Sequence, residues 1–217
     1  MYLPKLVIFD LDGTLIDSAS GIHKATVQAC VKLNLKVPTE EETRSFIGNG
    51  VTKLMERVLI QVCDVQDLHY TDALLEQFYI AYEQVCSNEL PVVYPGIEEA
   101  FVYLEEQGVQ LALVTNKPQR YIPDILNKLN WQHRFVSILG GDSLPVRKPS
   151  ALPLIHTMNT AGETEAWMVG DSPVDQQAAA NAQIPFVALT YGYNQGIPFN
   201  PNDCLLCGDN LHEILKA

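Results

Sequence analysis

Side chains able to do metal and phosphate chemistry follow several short apolar segments of this sequence. They are Asp10, Asp12, Thr115, Asn116, Asp171 and Asp175, joined by Lys148 from a separate segment. In one crevice, the four carboxylates and the single ammonium would carry a net negative charge. Two bare carboxylates about 4 Å apart repel by roughly 4 kcal/mol at an effective dielectric near 20. Such a cluster therefore needs a divalent cation, a retained proton, or both.

The acids in this set offer only oxygen ligands to a metal. Oxygen ligation favours a hard cation, and Mg²⁺ commonly takes one or two carboxylates together with substrate phosphate oxygens. Thr115, Asn116 and Lys148 would supply hydroxyl, amide and ammonium donors for those phosphate oxygens. The residue types therefore predict a magnesium site that acts on an anionic, phosphate-bearing substrate.

The apolar segments themselves have the pattern of buried parallel strands. Nearly continuous apolarity, rather than alternation, is typical of strands buried on both faces. Helical patterns separate the segments, which predicts a doubly wound, Rossmann-like α/β fold with a parallel sheet. Right-handed crossovers place the carboxyl ends of the strands on one edge, so the polar side chains should meet there. The predicted strands are Leu6–Phe9, Leu111–Val114, Val136–Leu139, Trp167–Val169 and Phe186–Leu189.

Some members of the polar set also have purely structural interpretations. Ser172, followed by a proline, predicts a helix N-cap, and Asp175 then falls at the third helical position. An acid is favoured there by capping and by the helix dipole alone. Thr115 and Asn116 could be ordinary turn residues, and Lys148 could be solvated. We favour the chemical interpretation because Asp175 follows Gly170-Asp171 and because Thr115, Asn116 and, from a loop, Lys148 would reach the same edge of the sheet.

Residues 18 to 92 interrupt the strand and helix alternation with helical patterns and no convincing strand. Apolar stripes at helical spacing begin at Ile22, Val51 and Leu75, and Thr39-Glu-Glu-Glu42 is a capping-box start. This pattern predicts a helical cap domain inserted after the first strand. The predicted domains are 1–17 together with 93–217 for the α/β core, and 18–92 for the cap.

The composition limits the partners of the 217-residue chain, which carries 14 basic and 26 acidic residues and a net charge of −12. Nucleic-acid and anionic-membrane binders need a basic patch, whereas the densest basic run here is Arg147-Lys148. No apolar run approaches the roughly 20 residues of a membrane span, and no signal-peptide pattern follows the apolar start. We therefore expect no nucleic-acid partner, no membrane partner and a cytoplasmic location.

The five cysteines are scattered and odd in number, which argues against a disulfide framework and suits a reducing compartment. Cys204-Leu-Leu-Cys207 has metal-ligand spacing, but no second pair of ligands accompanies it. A structural zinc site needs four ligands. We interpret the segment as two small residues flanking a buried pair of leucines.

Four short motifs in this sequence resemble the ordered motifs of the haloacid dehalogenase superfamily. The resemblance spans the whole chain and fits a member whose helical cap is inserted after the first motif. Four motifs in order, each at a predicted strand end or in the loop after it, are a specific signal. They read Asp10-Leu-Asp12-Gly-Thr14-Leu15, Thr115-Asn116-Lys117-Pro118, Lys148-Pro149 and Gly170-Asp171-Ser-Pro-Val-Asp175.

The resemblance implies a Mg²⁺-dependent phosphatase. It makes Asp10 the nucleophile that forms an aspartyl-phosphate, and Asp12 the acid and base that protonates the leaving oxygen and then activates water. An acid at position 12 favours phosphoryl transfer over the cleavage of carbon–halogen bonds. The implied metal ligands are Asp10, Asp12 through its carbonyl, Asp171 and Asp175, and the implied phosphate-binding residues are Thr115, Asn116 and Lys148.

The cap also contains a segment with a resemblance of its own. Ile47-Gly48-Asn49-Gly50 with Glu56-Arg57 is similar to the cap segment of phosphoglycolate phosphatases. The similarity implies that Arg57 and Asn49 contact a small phosphorylated metabolite, with Arg57 on its carboxylate. Solvation is the alternative for an arginine on a polar helix face. Both a monomer and a homodimer are compatible with this sequence.

Two other functions remain open. Sugar-phosphate mutases of the β-phosphoglucomutase type resemble the chain around the first motif, but they carry a histidine where this sequence has Ile22, with His23 one residue later. Receiver-like signalling domains also hold a phospho-aspartate on a parallel sheet. The helical insertion after the first strand resembles a lid over a substrate and so favours an enzyme over a switch.

Overall fold

A parallel sheet at the centre of the protein carries the strand ends singled out above. The computed structural model describes residues 2–64, 69–194, 199 and 201–216. Strands and helices in these residues alternate along the second half of the chain. The strands are β1 (Leu6–Phe9), β2 (Ile16–Asp17), β3 (Val92–Val93), β4 (Gln110–Val114), β5 (Phe135–Leu139), β6 (Ala166–Gly170), β7 (Phe186–Leu189) and β8 (Leu206–Gly208).

Helices cover both faces of this sheet and also form a separate layer above its carboxyl edge. Shorter helical turns lie at Val58–Val62, Gln119–Tyr121 and Pro201–Asp203. The α-helices in the described residues are α1 (Ala19–Lys32), α2 (Glu40–Phe46), α3 (Val51–Arg57), α4 (His69–Asn88), α5 (Ile97–Glu106), α6 (Ile122–Leu129), α7 (Leu152–Ala161), α8 (Pro173–Ala182) and α9 (Leu211–Lys216).

The strand order of the main sheet, within the described residues, is β5-β4-β1-β6-β7-β8, and all its strand pairs are parallel. Strand β1 lies near the middle, with Leu6 opposite Gln110 of β4 and Ala166 of β6. The five predicted strands and the doubly wound α/β fold with its inserted helical cap are confirmed. Strand β8 was not predicted, because it is short and only partly buried.

The near-continuous apolarity of the strands follows from burial on both faces of the sheet. In β1, Val7 and Phe9 belong to the hydrophobic cluster that includes helix α5, whereas Leu6 and Ile8 belong to the cluster that includes helix α8. Successive side chains of a strand point to opposite faces, so a polar residue at any of these positions would be buried. All four residues of this strand are therefore apolar, and the buried acid Asp10 stands directly after its last residue.

The inserted helices form a third hydrophobic cluster, which includes Ala25 of α1, Met55 of α3 and Phe78 of α4. The predicted capping box at the start of α2 is confirmed, since the Thr39 and Glu42 side chains each bond the backbone of the other. The apolar stripe from Val51 onward is not one α-helix, however, because α3 ends at Arg57 and a π-helical turn follows it.

A small two-stranded antiparallel sheet joins the cap helices to the core. Strand β2 pairs with β3, with Ile16 opposite Val93 and Asp17 opposite Val92. The domain boundaries predicted at residues 17/18 and 92/93 fall within this sheet. Asp17 also accepts a hydrogen bond from the Tyr193 hydroxyl at 2.7 Å. Its other carboxylate oxygen forms an ion pair with Arg44 at 2.7 Å. The two segments that connect the cap to the core therefore lie next to each other.

The interpretation of Cys204-Leu-Leu-Cys207 needs a correction. Leu205 is 44% exposed, and Leu206 is half-buried at the start of β8, so the segment does not flank a buried pair of leucines. Its last two residues begin β8, which is the outer strand of the sheet in the described residues and pairs with β7.

Among the described residues, none of the helices has the length and apolar content that crossing a bilayer would require.

Candidate active site

Three aspartates meet at the carboxyl edge of the main sheet. Asp10 directly follows β1, Asp171 directly follows β6, and Asp175 lies in the first turn of α8. One carboxylate oxygen of each lies within 4.8 Å of the others, and all three residues are buried. The fold produces this convergence, because β1 and β6 are adjacent parallel strands that end at the same level.

Lys148 reaches the three aspartates from the loop between β5 and α7. Its Nζ lies 3.0 Å from Oδ1 of Asp10 and 2.6 Å from Oδ1 of Asp175. The other oxygen of Asp175 accepts hydrogen bonds from the backbone N and the hydroxyl of Ser172, at 3.1 and 2.6 Å. The predicted N-cap at Ser172 is thereby confirmed. Asp175 therefore serves both the helix start and the lysine.

Burial dominates the protonation of this cluster. It raises the pKa of Asp10 from 3.8 to about 6, although the Lys148 ammonium opposes the rise. Burial also raises the pKa of Asp171 well above 3.8, and the charges of Asp175 and Asp10 add to the rise. Burial opposes the charge of Lys148, but the carboxylates of Asp10 and Asp175 outweigh it and raise the pKa of that ammonium. Burial therefore makes the ionised forms of Asp10 and Asp171 less favourable, and a divalent cation at the cluster would offset this cost.

The donor set of the cluster fits a hard divalent cation. Asp171 is fixed in place because Oδ1 accepts a hydrogen bond from the Thr14 hydroxyl at 2.6 Å and Oδ2 accepts one from the Tyr193 backbone N at 2.5 Å. Each oxygen still has a lone pair for a metal. Asp175 is less free, since one of its oxygens accepts two hydrogen bonds and the other faces an ammonium. Asp10 and Asp171 are thus the better-placed ligands.

Asp12 lies at the same edge of the sheet and contacts Lys117, a second buried lysine. The Lys117 Nζ lies 3.0 and 3.2 Å from the two carboxylate oxygens of Asp12, and it also donates to the Tyr82 hydroxyl at 2.7 Å. Tyr82 belongs to α4 of the cap, whereas Asp12 and Lys117 belong to the core. The half-buried carboxylate therefore faces a contact between the two parts of the molecule.

Thr115 and Asn116 follow β4 at the same edge, and both are buried. The Thr115 hydroxyl accepts a hydrogen bond from the Lys117 backbone N at 3.2 Å. The Asn116 amide Nδ2 donates to the Gly48 carbonyl in the cap at 3.2 Å and to the Lys148 carbonyl at 3.0 Å. Asn116 thus joins the cap to the lysine loop, and its role in phosphate binding stays a prediction, as does that of Thr115.

The two cap residues predicted to contact substrate contact each other. Arg57 Nη2 donates to Asn49 Oδ1 at 2.8 Å, and Nη1 donates to the Phe46 carbonyl at 2.9 Å. The guanidinium therefore braces the turn before α3. A different arginine lies close to Gly50, where a Cβ atom would stand 2.7 Å from Nη1 of Arg147.

A cleft between cap and core leads to Asp10 and Asp12. It encloses about 510 Å³ of space, part of it open to solvent. Core residues of the motifs form its polar side, and Gly48 and Gly50 form part of its rim. The apolar side comes from the cap residues Ile22, Ile47, Val51, Leu54 and Phe78.

Four residues of this edge escaped the sequence analysis as site residues. Thr14 and Lys117 lie inside the quoted motifs, so their positions were a usable signal. The other two carried weaker signals, since Tyr82 is part of an apolar helix stripe and Tyr193 lies in a loop. The four residues are Thr14, Tyr82, Lys117 and Tyr193.

Together these features define a class of protein. A parallel sheet collects acids and a lysine at its carboxyl edge, and an inserted helical cap covers that edge, as in enzymes that transfer groups in a shielded cleft. Comparison with known proteins agrees. Residues 7–189 match the family model described as haloacid dehalogenase-like hydrolase. The chain belongs to this family of hydrolases.

Particular relatives are similar over nearly the whole chain. A phosphoglycolate phosphatase of Pseudomonas fluorescens Pf-5 is 41% identical over 219 residues, which cover 99% of this chain and 80% of the relative. A phosphoglycolate phosphatase of Vibrio vulnificus YJ016 is 37% identical over 98% of this chain and 95% of its own. The crystal structure of a predicted phosphoglycolate phosphatase from Haemophilus somnus 129pt is 33% identical, with a TM-score of 0.90, and the match covers 98% of this chain and 96% of that one.

Proposed function

We propose that this protein is a Mg²⁺-dependent phosphatase that hydrolyses a small phosphomonoester through an aspartyl-phosphate on Asp10. The observation that carries the proposal is the convergence of Asp10, Asp171 and Lys148 at one buried edge, next to Asp12. Asp10 has both a cation site and an ammonium as neighbours, which is the environment that an incoming phosphate dianion requires. Membership of a hydrolase family supports the same conclusion.

The first half of the proposed reaction forms the covalent intermediate. An oxygen of Asp10 attacks phosphorus, the bond from phosphorus to the alcohol oxygen breaks, and Asp12 gives its proton to that oxygen. Lys148 and the Thr115 hydroxyl hold the phosphoryl oxygens during the transfer. The alcohol leaves neutral, and Asp12 is left as a carboxylate.

The second half of the reaction hydrolyses the aspartyl-phosphate. Asp12 takes a proton from water while the water oxygen attacks phosphorus, and the bond between Asp10 and phosphorus breaks. Inorganic phosphate leaves and both carboxyl groups return to their starting forms. Over the two halves an ester and a water molecule become an alcohol and phosphate, so no further reactant is needed.

Asp10 and Asp171, with the Asp12 carbonyl as the third protein ligand, are the groups we propose for Mg²⁺. When bound there, the cation neutralises charge on the carboxylates and on the phosphoryl oxygens. Asp175 acts chiefly on Lys148, since their 2.6 Å contact holds the ammonium beside Asp10. This division accounts for two acids on the β6–α8 segment with different surroundings.

Phosphoglycolate is the substrate that the relatives' names suggest, and the small cleft is compatible with a compact ester. Its carboxylate would need a cation in the cleft. Arg57, with Asn49, is the candidate from sequence, although its guanidinium already donates to the Phe46 carbonyl. Arg147 is a second candidate, because it lies beside Gly50 on the rim.

Phosphate release tests the mechanism. Wild type with Mg²⁺ should turn over small phosphate esters, whereas Asp10→Asn or an excess of EDTA should lower kcat by about 10³-fold or more. Asp124→Asn is a matched control, since it makes the same change at a half-exposed side chain of α6 away from the cleft. Turnover that survives both Asp10→Asn and EDTA would sink the proposal.

The choice of substrate has its own test. Phosphoglycolate and 2-hydroxyethyl phosphate have the same length, but only the first carries a carboxylate. The arginine that binds the carboxylate should, when changed to Ala, cost about 10- to 100-fold in kcat/KM for phosphoglycolate and leave the other ester unaffected. If neither Arg57→Ala nor Arg147→Ala discriminates, the carboxylate is not recognised by these residues, and phosphoglycolate loses its support while the phosphatase chemistry stands.

The mutase alternative finds no support at the cleft. Ile22 lies in its apolar wall, where a mutase of the β-phosphoglucomutase type carries a histidine, and His23 bonds the Thr43 hydroxyl instead. A pure phospho-aspartate switch would not turn over repeatedly. Free phosphate in excess of the protein, with no isomerised sugar from β-glucose 1-phosphate, would exclude both.

The surroundings of the enzyme in the cell follow from the same chemistry. None of the five cysteines forms a disulfide in the described residues, which accords with a reducing compartment, and we place the enzyme in the cytoplasm with a small phosphorylated metabolite as its partner. Cell fractionation tests the location. Light scattering distinguishes the monomer from the homodimer that we keep as alternatives.

A further inference from the structure

Lys117 is a buried ammonium with partners on both sides of the cleft. Only 3% of its side chain is exposed, and its Nζ contacts the Asp12 carboxylate and the Tyr82 hydroxyl. It also lies 4.8 Å from the centre of the Tyr82 ring. The proposed mechanism assigns no step to this lysine, although it touches the proposed acid and base.

The environment of Lys117 keeps it charged. Its Nζ lies 3.0 and 3.2 Å from the two oxygens of Asp12 and donates to the Tyr82 hydroxyl at 2.7 Å, so the buried ammonium has an acid and a hydroxyl as partners. Buried ion pairs add little to the stability of a fold on average, because desolvation cancels most of the attraction. A pair of this kind beside a reacting carboxyl group is therefore better explained by chemistry than by stability.

Tyr82 occupies a well-defined position on the cap. Its ring stacks on Phe78 of the same helix, with centroids 5.3 Å apart and planes at 11°. It also meets the edge of Tyr121 from the core at 5.1 Å and 88°. The hydroxyl is thereby aimed at Lys117, and the contact exists only while α4 lies against the core.

We propose that Lys117 and Tyr82 are positioning residues that hold Asp12 for proton transfer, and that the closed cap completes this arrangement. The inference rests on the proposed role of Asp12 as acid and base. Lys117 contacts both oxygens of Asp12 and so fixes the plane of the carboxyl group. Tyr82 fixes Lys117 in turn.

The chemistry of the two half-reactions explains why a cation is useful there. After Asp12 has given its proton to the leaving oxygen, the carboxylate that remains is stabilised by the ammonium 3.0 Å away. The same contact holds the carboxylate in place until it takes a proton from water. Lys117 keeps its own protons throughout, so the proton balance of the reaction is unchanged.

Leaving-group dependence separates this role from a merely structural one. An alkyl phosphate such as 2-hydroxyethyl phosphate needs a proton on its leaving oxygen, whereas acetyl phosphate releases acetate without one. Damage to the positioning of the acid should therefore lower kcat/KM for the first ester far more than for the second, since kcat/KM reports the steps up to departure of the leaving group. General loss of structure would lower both equally.

Four variants complete the experiment. Tyr82→Phe removes one hydroxyl and keeps the ring contacts, and Lys117→Met removes the ammonium while keeping most of the volume. Tyr79→Phe is the matched control on the same helix, since this tyrosine packs against Tyr121 and Arg120 without touching Lys117. Asp12→Asn reports on the acid itself.

For 2-hydroxyethyl phosphate we expect kcat/KM to fall about 100-fold or more in Asp12→Asn, about 30-fold in Lys117→Met and about 5-fold in Tyr82→Phe. For acetyl phosphate each loss should be several times smaller, and Tyr79→Phe should match wild type with both esters. KM should change little, because Lys117 is not proposed to bind substrate.

The outcomes separate the two proposals. If Asp12→Asn discriminates between the esters but Lys117→Met and Tyr82→Phe do not, the positioning role is overturned and the proposed function stands. If Asp12→Asn fails to discriminate, the acid role of Asp12 in the proposed function is overturned, and the positioning role falls with it. Tyr82→Phe, the milder change, keeps the inference testable even if Lys117→Met fails to fold.

Discussion

The two buried lysines of the cleft have similar burial but different partners. Lys148 contacts Asp10 and Asp175, so all its partners belong to the core. Lys117 contacts Asp12 from the core and Tyr82 from the cap. The contacts around Asp10, the proposed nucleophile, therefore come from the core, whereas those around Asp12, the proposed acid and base, extend through Lys117 to the cap.

The two lysines would therefore serve different steps of the proposed reaction within one small cleft. If Asp10 is the nucleophile and a metal ligand, as we propose, phosphate can bind there before the cap closes, because Asp10 contacts Lys148 and lies beside Asp171 within the core. An acid that is positioned only by closure acts only when the cleft is shielded. The following changes test this division, beginning with those expected to have the largest effect.

Lys148→Met removes the ammonium from the core side of the division. We expect kcat/KM to fall by about 10³-fold, since the variant loses a direct contact to the phosphoryl group and the partner of two buried carboxylates. The loss should be equal for 2-hydroxyethyl phosphate and acetyl phosphate, because this lysine does not serve the leaving group. Steady-state rates with both esters measure it, and a loss confined to the alkyl ester would erase the contrast with Lys117.

Gly170→Ala places a methyl group against Asp175, whose Cβ and Cγ are its nearest neighbours. Asp175 is pinned by Ser172 and Lys148, so it cannot yield without moving the ammonium. We expect kcat/KM to fall about 100-fold and stability to fall by about 1 to 3 kcal/mol.

Gly208→Ala is the matched control for this change. Gly208 also ends a strand of the same sheet, and its added methyl group would press on Ile214, far from the aspartates. Stability should fall to a similar degree in thermal melts, with kcat unchanged. A comparable loss of kcat in both variants would show that strain in the sheet, rather than displacement of Asp175, governs activity.

Asp10 should destabilise the metal-free protein as pH rises. Burial raises its pKa from 3.8 to about 6 in the fold, so the protonated form is the one that the fold favours. The stability this provides is full below about pH 4 and is lost as pH rises through about 6. Asp10→Asn, which stays neutral, should avoid the loss.

Thermal melts in EDTA measure this effect. The advantage of Asp10→Asn over wild type should grow by about 1 to 3 kcal/mol between pH 5 and pH 7.5. Mg²⁺ should raise the Tm of wild type at pH 7.5 more than that of the variant, since the cation offsets the buried charge. A pH-independent difference between the two proteins would contradict the burial argument.

Asn116→Ala makes the smallest change, at the contact between cap and core. It removes the hydrogen bonds to the carbonyls of Gly48 and Lys148, and one such bond is worth about 1 kcal/mol. We expect KM to rise about fivefold with little change in kcat. A fall in kcat of more than about 50-fold would instead assign Asn116 to the transferring phosphoryl group, as the sequence motif suggests.

The central strands were predictable because burial on both faces of a sheet requires an uninterrupted run of apolar residues. The run from Leu6 to Phe9 has no polar residue, and the strand it forms is buried throughout. Strand β8 has no such apolar run, since Leu206 is half-buried and the strand pairs with β7 at the outside of the sheet. The π-helical turn at Val58 was also invisible, because apolar spacing does not distinguish it from a continued α-helix.

Site residues that directly follow predicted strands were also predictable from the sequence. Asp10 and Asp171 could be brought together from sequence, since each follows a strand and the strands end at one edge. The contact between Lys117 and Tyr82, by contrast, joins the core to α4 and depends on where the cap lies. No periodicity within the cap determines that placement. The placement of Tyr82 beside Lys117 therefore could not be predicted from the sequence.

The central place of β1 in the sheet also sets the order in which this chain can fold during synthesis. Its neighbours β4 and β6 begin at Gln110 and Ala166, whereas α1 to α4 come from one continuous stretch of chain. At about 5 to 20 residues per second, the first strand waits for roughly ten to thirty seconds before its second partner has been made. The cap helices can pack during that time. All four cap helices have thus been synthesised before β6, the second neighbour of β1, is complete.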